Sequence, residues 1–497
     1  MLLRSDCGNL ALSVIYGALK ESGHYIQIYS LSSRESDLYM FGSDVQVKNI
    51  EELGLENLNF FDCIIVSRNC FFIPKLEEAL TVFKGIIITE HTTPYEGDNV
   101  YGDAILCGSQ FNVDSVDNVI KEGTSFHLVG NIKCFDKERT IPLPAFFDNS
   151  ILFIESGHYP FGKDSRLILA KRIVQLAKDN PSINVIVKPR YLIDDCKTAL
   201  HRNADHIYNY FADLQADKIP NLFLLDYHVH LASAIKKASV VIHTYSSAFV
   251  EAVYFDKKII NISNLPSIET VDFRENRFNQ IKRYIDMADM NVSFSEELEL
   301  KHAKKCSGFA KEYFIAPLLD LNHVVGIIES EVDGFKYNKN TYINRLKGII
   351  KNRLNFYATR FDDFCEMAKI FRNLCLKIDI NTTYTDAIKL INEAIYLYIC
   401  EHVSELCKDK INRAALLEYV YSSNNWDLID FDELPQDEAY MLFVGLKFYN
   451  EGCSNIAKEH LLSYLHLESS KLFDETCADF LQYQNLAKKV VEHLQEG

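Results

Sequence analysis

The sequence is short of the features that mark membrane, secreted and nucleic-acid-binding proteins. Its longest apolar stretch near the start, residues 10–19, is about half of the ~20 residues that a membrane-spanning helix needs, and no small-residue cleavage site follows it. The 52 Lys and Arg are outnumbered by 69 Asp and Glu, and the net charge of -17 opposes a broad nucleic-acid or anionic-membrane surface. We therefore expect a cytoplasmic chain without a transmembrane segment, and leave peripheral attachment at the inner face of the cell membrane open.

Several common metal and nucleotide motifs are also missing. None of the 13 cysteines forms a C-x-x-C pair, and there is no G-x-x-x-x-G-K-[ST], G-x-G-x-x-G or H-E-x-x-H. These absences argue against a zinc ribbon, P-loop phosphoryl transfer, a dinucleotide fingerprint and a zincin. A D-x-D, Asp430-Phe431-Asp432, lies in a helix-rich region and is interpreted as a loop or a helix cap. We predict neither a metal site nor a cofactor.

Length and periodicity predict three domains. At ~150 residues per domain, 497 residues correspond to about three, and 48% hydrophobic residues suffice for compact cores. Up to about residue 335, short β-rich runs alternate with helical stretches, as in parallel sheets covered by helices. Near residues 140–149, Pro142 and Pro144 interrupt the periodicity. We predict an α/β protein with two Rossmann-like domains, 1–147 and 148–335, that face each other across a cleft.

The strand candidates fall into two groups, one for each of these domains. The first group is 25–29, 63–66, 86–89, 104–107 and 127–129. The second group is 151–154, 184–187, 222–225, 240–243 and 258–262. Each group has the strand content of one Rossmann-like unit.

Residues 336–497 are predicted to form an all-α C-terminal domain. Over 340–495, Leu, Ile, Phe and Tyr recur at three- and four-residue spacing, the pattern of amphipathic helices. The small and large positions of a tetratricopeptide-like helix pair are matched by Gly445, Phe448, Gly452, Ala457, Leu461 and Tyr464. An ordinary helical hairpin is the alternative, because no clean repeat of ~34 residues recurs upstream. Such a domain could extend the acceptor site, bind a protein partner or mediate self-association.

The segment from Ala238 to Ala252 predicts an anion-binding turn. A buried strand leads into a polar turn and a helix, and Ser246 and Ser247 fall at the helix start, where hydroxyls and N–H groups suit a nucleotide phosphate. Glu251 lies one turn further on, and its carboxylate could accept hydrogen bonds from hydroxyls of a ribose or sugar. Alternatively, the serines only cap the helix and Glu251 is solvated.

A second candidate lies at the end of another predicted strand. In Asn184-Val-Ile-Val-Lys-Pro-Arg190, the stiff Pro189 would direct Lys188 and Arg190 to the carboxyl edge of the sheet, where ligands bind in open α/β folds. Arg suits bidentate phosphate contacts, and Lys acts as a point charge. The alternative is a pair of surface charges at a strand end.

A third candidate is the pair Glu90 and His91, which follows the strand candidate 86–89. A neutral imidazole can take a proton from an acceptor hydroxyl, because its pKa lies near neutrality. A structural histidine is the alternative. The other histidines that stay open for this role are His127, His158, His228, His230 and His243.

The order of these motifs resembles a known family. The segments that carry the resemblance are 90–92, 103–109, 128–131, 151–156, 187–190, 221–226, 246–251 and 257–260. Their succession resembles the bacterial capsule and teichoic-acid transferases of the two-Rossmann GT-B type, which include CDP-glycerol glycerophosphotransferases and Kdo- and sialic-acid-type capsule glycosyltransferases. The resemblance covers about residues 85–335, and the first 85 residues match only in secondary structure.

The resemblance implies a GT-B-like fold, with an acceptor-binding N-terminal domain, a nucleotide-donor C-terminal domain and transfer in the cleft between them. It makes His91 the catalytic histidine, with Glu90 beside it. It implies donor binding by Gly130, Asn131, Lys188, Ser246, Ser247 and Glu251, with Arg190 beside Lys188. Two positions depart from the family, since Arg190 replaces the usual His after Lys-Pro and Thr92 replaces the Gly expected after His91.

We therefore hypothesise a metal-independent glycosyltransferase. It would move a sugar from a nucleotide-activated donor to a growing cell-surface glycan of the capsule or lipopolysaccharide type, free or lipid-linked. Three alternatives stay open: transfer of a polyol phosphate or another phospho-substituent to the same glycans, a nucleotide-sugar 2-epimerase, and a non-catalytic scaffold with a degenerate transferase core.

Overall fold

The structure, a computed structural model, forms two compact units, Met1–Asn352 and Arg353–Gly497. The residues that it describes are 2–4, 9–30, 41, 45–49, 53, 55–67, 74–93, 100–139, 143–155, 163–190, 206–226, 229–244, 246, 248–263, 288–293, 313–361, 363–408, 410–429, 434–466 and 480–496. Each unit is described by itself.

The first unit begins with a parallel seven-stranded sheet. Its strands are β1 (Leu2–Arg4), β2 (Ile28–Ser30), β3 (Val47–Asn49), β4 (Cys63–Ser67), β5 (Ile86–His91), β6 (Ala104–Cys107) and β7 (Ser125–Leu128). They lie in the order β3-β2-β1-β4-β5-β6-β7, and every neighbouring pair is parallel. All residues of the central strand β5 are buried, because helices cover both faces of such a sheet.

A parallel six-stranded sheet follows in the same unit. Its strands are β8 (Ile151–Ile154), β9 (Val185–Lys188), β10 (Leu222–Leu224), β11 (Val240–His243), β12 (Lys258–Ser263) and β13 (Met290–Ser293). Their order is β10-β9-β8-β11-β12-β13, the 3-2-1-4-5-6 order of a Rossmann fold. The strand order reverses between β8 and β11, and the carboxyl ends of the strands at such a reversal form a crevice for ligands.

Helices connect and follow the strands. Those of the first unit that connect strands are α1 (Asn9–Glu21), α2 (Pro74–Val82), α3 (Gln110–Ser115), α4 (Asn118–Lys121), α5 (Lys163–Asp179), α6 (Ile207–Asp213), α7 (Leu231–Lys237) and α8 (Phe249–Tyr254). After the second sheet come α9 (Leu321–Gly334), α10 (Lys339–Phe361), α11 (Phe364–Lys377), α12 (Tyr384–Leu406), α13 (Lys410–Ser423), α14 (Glu438–Asn450), α15 (Ser454–His466) and α16 (Phe480–Glu496). A 3-10 helix, Ile132–Arg139, follows the first sheet.

The predicted fold class is confirmed, since two parallel α/β sheets precede an all-α region. Every strand candidate overlaps an observed strand. Sequence patterns missed β1, β3 and β13, because each has only three or four residues and β3 and β13 include polar ones. Among the described residues, no helix combines the length and the apolar character that a bilayer crossing requires.

Helix α9 returns to the first sheet after the second sheet is complete. Its residues Val324 and Ile328 are buried in the core of the first sheet. The backbone leading into α9 also bonds to the end of β7, with the Leu319 N–H donating to the Val129 carbonyl at 3.2 Å. The sequence places a domain boundary at 335/336, whereas the first compact unit continues to Asn352.

A buried arginine explains why the first unit extends into α10. Arg345 has no exposed surface, and its Nη2 lies 2.7 Å from Asp103 Oδ2. The guanidinium also donates to three carbonyls at and after the end of α2, those of Leu80, Phe83 and Gly85, at 3.0, 2.5 and 2.7 Å. Because these partners satisfy the buried charges, the start of α10 is fixed to the first sheet.

The second unit is helical, and α14 and α15 form an antiparallel-type hairpin over a three-residue connection. A Cβ on Gly445 would lie 2.8 Å from Cγ of Leu461, so a small residue is required where the two helices approach. These are two of the positions that the helix-pair pattern singled out. A tetratricopeptide-like repeat beyond this pair stays a prediction.

Replacing Arg345 tests the anchor between α10 and the first sheet. In Arg345→Met, we expect the free energy of unfolding to fall by about 3–5 kcal/mol, because Asp103 is left buried without its cation. Urea unfolding followed by circular dichroism measures the change. Lys339→Met, an exposed position on the same helix, is the matched control and should unfold like the wild type. Equal stability of both variants would remove the pair from its anchoring role.

Candidate functional site

Charged side chains gather at the carboxyl end of the second sheet, around the reversal of its strand order. Glu155 follows β8, Lys188 ends β9, Asp226 follows β10 and His243 ends β11. Glu155, Lys188 and His243 are buried, and Asp226 is exposed. The carboxyl ends of parallel strands meet at one edge of the sheet, so these groups lie at the same edge. In open α/β sheets, ligands bind in the crevice at this edge, where the strand order reverses.

The first sheet meets this edge through the turn after β7. Gly130 has a φ of +75°, and a Cβ there would lie 2.7 Å from the Pro317 carbonyl oxygen, so glycine is required. The Asn131 N–H donates to the Tyr254 hydroxyl of α8 at 3.2 Å. That hydroxyl donates to the Ala316 carbonyl at 2.5 Å. Tyr254 therefore ties both chain crossings between the sheets to α8, and we call this contact region the seam.

The serine turn after β11 is built around His243. The Ser246 N–H donates to His243 Nδ1 at 3.1 Å, so the ring proton is assigned to Nε2. Burial lowers the pKa of His243 to about 3, which keeps the ring neutral. The Ala248 and Phe249 N–H groups donate to the Ser246 Oγ and carbonyl, at 3.4 and 3.2 Å. These N–H groups bind the turn itself, and the N-cap residue of α8 is Ala248, which makes no side-chain cap bond. Phosphate binding by Ser246 stays a prediction.

Glu251 is a buried carboxyl with an unused oxygen. It is 4% exposed, and its Oε2 has no hydrogen-bond partner among the described residues. Burial raises the pKa of this carboxyl, while the Lys133 ammonium, its own backbone N–H and the Arg190 guanidinium oppose the rise. Lys133 lies in the 3-10 helix after Asn131, so cations from both sides of the seam act on Glu251. An unsatisfied buried oxygen costs about 1–3 kcal/mol, which a ligand hydroxyl would offset.

Both predicted cations lie at the carboxyl edge of the second sheet. The pKa of Lys188 is lowered to about 8, mainly by burial. The Asp226 and Glu155 carboxylates oppose this lowering, and the Arg190 guanidinium adds to it. Arg190 is exposed, and its backbone N–H donates to Glu155 Oε2 at 2.7 Å. The structure thus brings Lys188, Arg190 and Glu251 to one side of the unit.

Glu90 and His91 end β5 in the first sheet, and each is 2% exposed. The Glu90 carboxylate accepts hydrogen bonds from the Ser67 hydroxyl at 2.9 Å and from the N–H and hydroxyl of Thr92. The Thr92 hydroxyl in turn accepts the Ile132 N–H at 3.4 Å, so Glu90 supports the turn at the seam. His91 is the last residue of β5 and so lies at the carboxyl edge of the first sheet. A catalytic role for either residue stays a prediction.

The neighbouring thiol of Cys107 does not offer a nucleophile beside His91. Cys107 is the register partner of His91 on β6. Burial raises the pKa of this thiol to about 12, with a smaller contribution from the Glu90 carboxylate. The thiolate, which is the nucleophilic form, is therefore disfavoured at neutral pH.

The other candidate histidines have structural partners where the structure describes them. His127 Nε2 lies 2.6 Å from Glu331 Oε1, and His230 caps α7 by accepting the Ser233 N–H at 3.3 Å. The residues singled out from the sequence that lie outside the described residues are His158, His228, Ser247, Asp430 and Asp432. Among the described residues, no three His, Cys, Asp or Glu side chains are grouped as a metal ion would require. The expectations about metals and cofactors stay predictions.

Sequence reasoning missed three charged groups at this edge, namely Lys133, Glu155 and Asp226. Glu155 directly follows β8 and Asp226 lies two residues after β10, and these positions after strand ends are the signal that could have identified them. Lys133 had no comparable signal. Its place near Glu251 depends on the bond between Asn131 and Tyr254, which are 123 residues apart in the chain.

No protein-family model matches the sequence, and no curated protein matches it. Solved structures similar to the chain include the S. aureus MnaA-UDP co-structure, at 11% identity and a TM-score of 0.43, with 67% of this chain and 97% of that chain covered. UDP-GlcNAc 2-epimerase from Neisseria meningitidis bound to UDP-GlcNAc has 10% identity and a TM-score of 0.40, and the match covers 66% of this chain and 100% of that chain. Acinetobacter baumannii MurG has 10% identity and a TM-score of 0.39, and the match covers 66% of this chain and 98% of that chain. At these TM-scores the likeness decides neither fold nor activity.

Proposed function

We propose that the first unit is a glycosyltransferase that binds a nucleotide-activated sugar at the seam. The observation that carries the proposal is Glu251, a buried carboxyl with one oxygen unpartnered among the described residues, whose pKa is raised by burial and lowered in part by the charges of Lys133 and Arg190. The acceptor in this proposal is a hydroxyl of a growing cell-surface glycan, free or lipid-linked. The order of sequence motifs supports that acceptor.

The chemistry of this edge matches the two parts of a nucleotide. A carboxyl oxygen recognises hydroxyl groups, and a ribose offers two adjacent ones. Ammonium and guanidinium groups recognise phosphates, and Lys133, Lys188 and Arg190 lie around the same edge. Such cations also stabilise the charge that develops on a departing nucleotide phosphate, which lowers the barrier to sugar transfer.

Activation of the acceptor is assigned to His91 rather than Glu90. Both oxygens of Glu90 already accept hydrogen bonds from Ser67 and Thr92. In the proposed step, the acceptor oxygen bonds to the anomeric carbon as the bond from that carbon to the phosphate oxygen breaks. The acceptor proton moves to the His91 imidazole, and the nucleotide leaves with the electron pair.

Replacing Glu251 tests the hydroxyl contact. In Glu251→Ala, we expect ~10-fold weaker binding of whichever of UDP, CDP and CMP binds the wild type best, because a buried hydrogen bond is lost. The 2′,3′-dideoxy form of that nucleotide should bind both proteins equally, because it has no hydroxyl to contact. Calorimetry measures all four affinities. Equal weakening for both ligands would exclude Glu251 from the ribose contact.

The same nucleotide panel separates the alternatives. A preference for CMP would indicate Kdo- or sialic-type donors. A preference for CDP would indicate donors of polyol phosphates, and a preference for UDP would indicate ordinary hexose donors. Incubation with UDP-N-acetylglucosamine and no acceptor yields an epimerised product only if the protein is an epimerase. Failure of the wild type to bind any nucleotide would overturn the proposal and favour a scaffold.

The pKa of Lys188 predicts how nucleotide binding depends on pH. Below about pH 8 the ammonium is charged and attracts phosphate, and above that pH the neutral amine does not. We expect the wild-type affinity to fall as the pH rises through about 8, and Lys188→Gln to bind weakly without such a fall. Binding isotherms across this range measure both, with Lys171→Gln on the exposed side of α5 as the control. A flat wild-type profile would contradict the assignment.

Replacing His91 tests the proton transfer. In His91→Ala, turnover should fall by ~10²-fold or more, because the general base is removed, while nucleotide affinity stays near that of the wild type. Steady-state transfer assays and calorimetry provide the two readouts. His127→Ala, which removes a histidine paired with Glu331, is the control and should keep its turnover. Unchanged turnover in His91→Ala would remove this residue from the mechanism.

A further inference from the structure

A buried carboxylate holds the turn that carries Lys188 and Arg190. Glu155 is 4% exposed and follows β8, the neighbour of β9. Its backbone N–H donates to the Lys188 carbonyl at 3.1 Å, and its Oε2 accepts the Arg190 N–H at 2.7 Å. Glu155 therefore binds the chain on both sides of Pro189, and these two bonds set the course of the turn.

The second oxygen of Glu155 is held by Arg166 on α5. Arg166 Nη2 lies 2.5 Å from Glu155 Oε1, and Arg166 is 3% exposed. A buried ion pair is maintained only when its charges are well satisfied by geometry and hydrogen bonds. Because each carboxylate oxygen bonds to a protein group, Glu155 is placed to act through Lys188 and Arg190 rather than on a ligand.

The Glu155 carboxylate also acts on the Lys188 ammonium through space. Where the structure describes the chain, the charged groups that act on Lys188 are Asp226 after β10, Arg190 after β9 and Glu155 after β8. The Tyr208 phenol of α6 lies near both carboxylates, and burial raises its pKa, so it stays neutral. Removing the negative charge of Glu155 would therefore lower the pKa of Lys188 further.

We infer that Glu155, held by Arg166, is a positioning residue of the nucleotide-phosphate site: it directs the turn at Lys188 and Arg190 and keeps a negative charge beside the Lys188 ammonium. This inference rests on the proposed function, because the turn matters to catalysis only if a phosphate binds there. Glu155 differs from the other buried glutamates not in residue type but in its bonds to the two ends of the turn.

Glu155→Gln keeps the shape of the side chain and removes its charge. We expect the preferred nucleotide to bind about tenfold more weakly, and the fall in affinity that the wild type shows near pH 8 to begin at lower pH. Glu155→Asp keeps the negative charge on a shorter side chain. It should therefore weaken nucleotide binding, with a smaller change in the pH at which the affinity begins to fall. Glu122→Gln, at an exposed position after α4, is the matched control and should behave as the wild type.

Arg166→Gln provides a second variant. It loosens Glu155 but leaves the negative charge of Glu155 in place, so affinity should fall while the pH of the fall does not move down. A purely structural role would weaken binding in both variants without separating their pH profiles. Circular dichroism verifies the fold, and Glu155→Asp and Arg166→Gln decide the question if Glu155→Gln fails to fold.

The outcomes separate this inference from the proposed function. If the wild type binds a nucleotide and Glu155→Gln has the same affinity and pH profile, the inference is overturned and the proposed function stands. If the wild type binds no nucleotide, both are overturned. If Glu155→Gln binds the nucleotide more weakly and its affinity begins to fall at a lower pH than that of the wild type, the positioning role is supported.

Discussion

One phenol hydroxyl bonds to both chain segments that connect the two sheets of the first unit, beside the candidate site. The Tyr254 hydroxyl accepts a hydrogen bond from the Asn131 N–H and donates one to the Ala316 carbonyl. Only a protonated phenol can do both at once, and burial raises the pKa of Tyr254 and so favours that form. Lys133 lies two residues beyond Asn131, and its charge acts on Glu251.

The glutamates of the first unit differ in role because their partners differ. Glu155 has both oxygens bonded, to Arg166 and to the Arg190 N–H. Glu90 likewise bonds to Ser67 and Thr92, and so supports the turn at the seam. Glu251 is equally buried but keeps one oxygen unpartnered among the described residues, which makes it the one of the three suited to a ligand. Burial alone therefore does not single out a candidate carboxyl, whereas a buried oxygen without a partner among the described residues calls for an explanation.

The sequence was sufficient to predict most of the framework, and for a physical reason. Strands such as β8 and β11 are buried on both faces, so they are continuous apolar runs that stand out from the amphipathic helices around them. β3 and β13 lack such runs and were missed. The site was less predictable, because the bonds that define it join residues distant in the chain, as between Asn131 and Tyr254.

The serine turn shows the same limit at short range. The residues around Ser246 have the composition of an anion-binding helix start, and the pattern alone left binding and capping open. What decides the geometry is His243, whose Nδ1 takes up the Ser246 N–H. That bond uses the Ser246 N–H, and the phosphate contacts that we propose at this edge are those of side-chain cations.

The balance of charge at this edge then depends on the protonation of Glu251. Among the described residues that act on Lys188 or Glu251, and apart from the ion pair of Arg166 and Glu155, three cations face two carboxyl groups: Lys133, Lys188 and Arg190 against Asp226 and Glu251. Burial raises the pKa of Glu251 and favours its neutral form, and in that form the excess is two positive charges. Two phosphate groups of a nucleoside-diphosphate sugar would match that excess. In a chain whose net charge is -17, the proposed site would thus combine a hydroxyl contact at Glu251 with an attraction for phosphate.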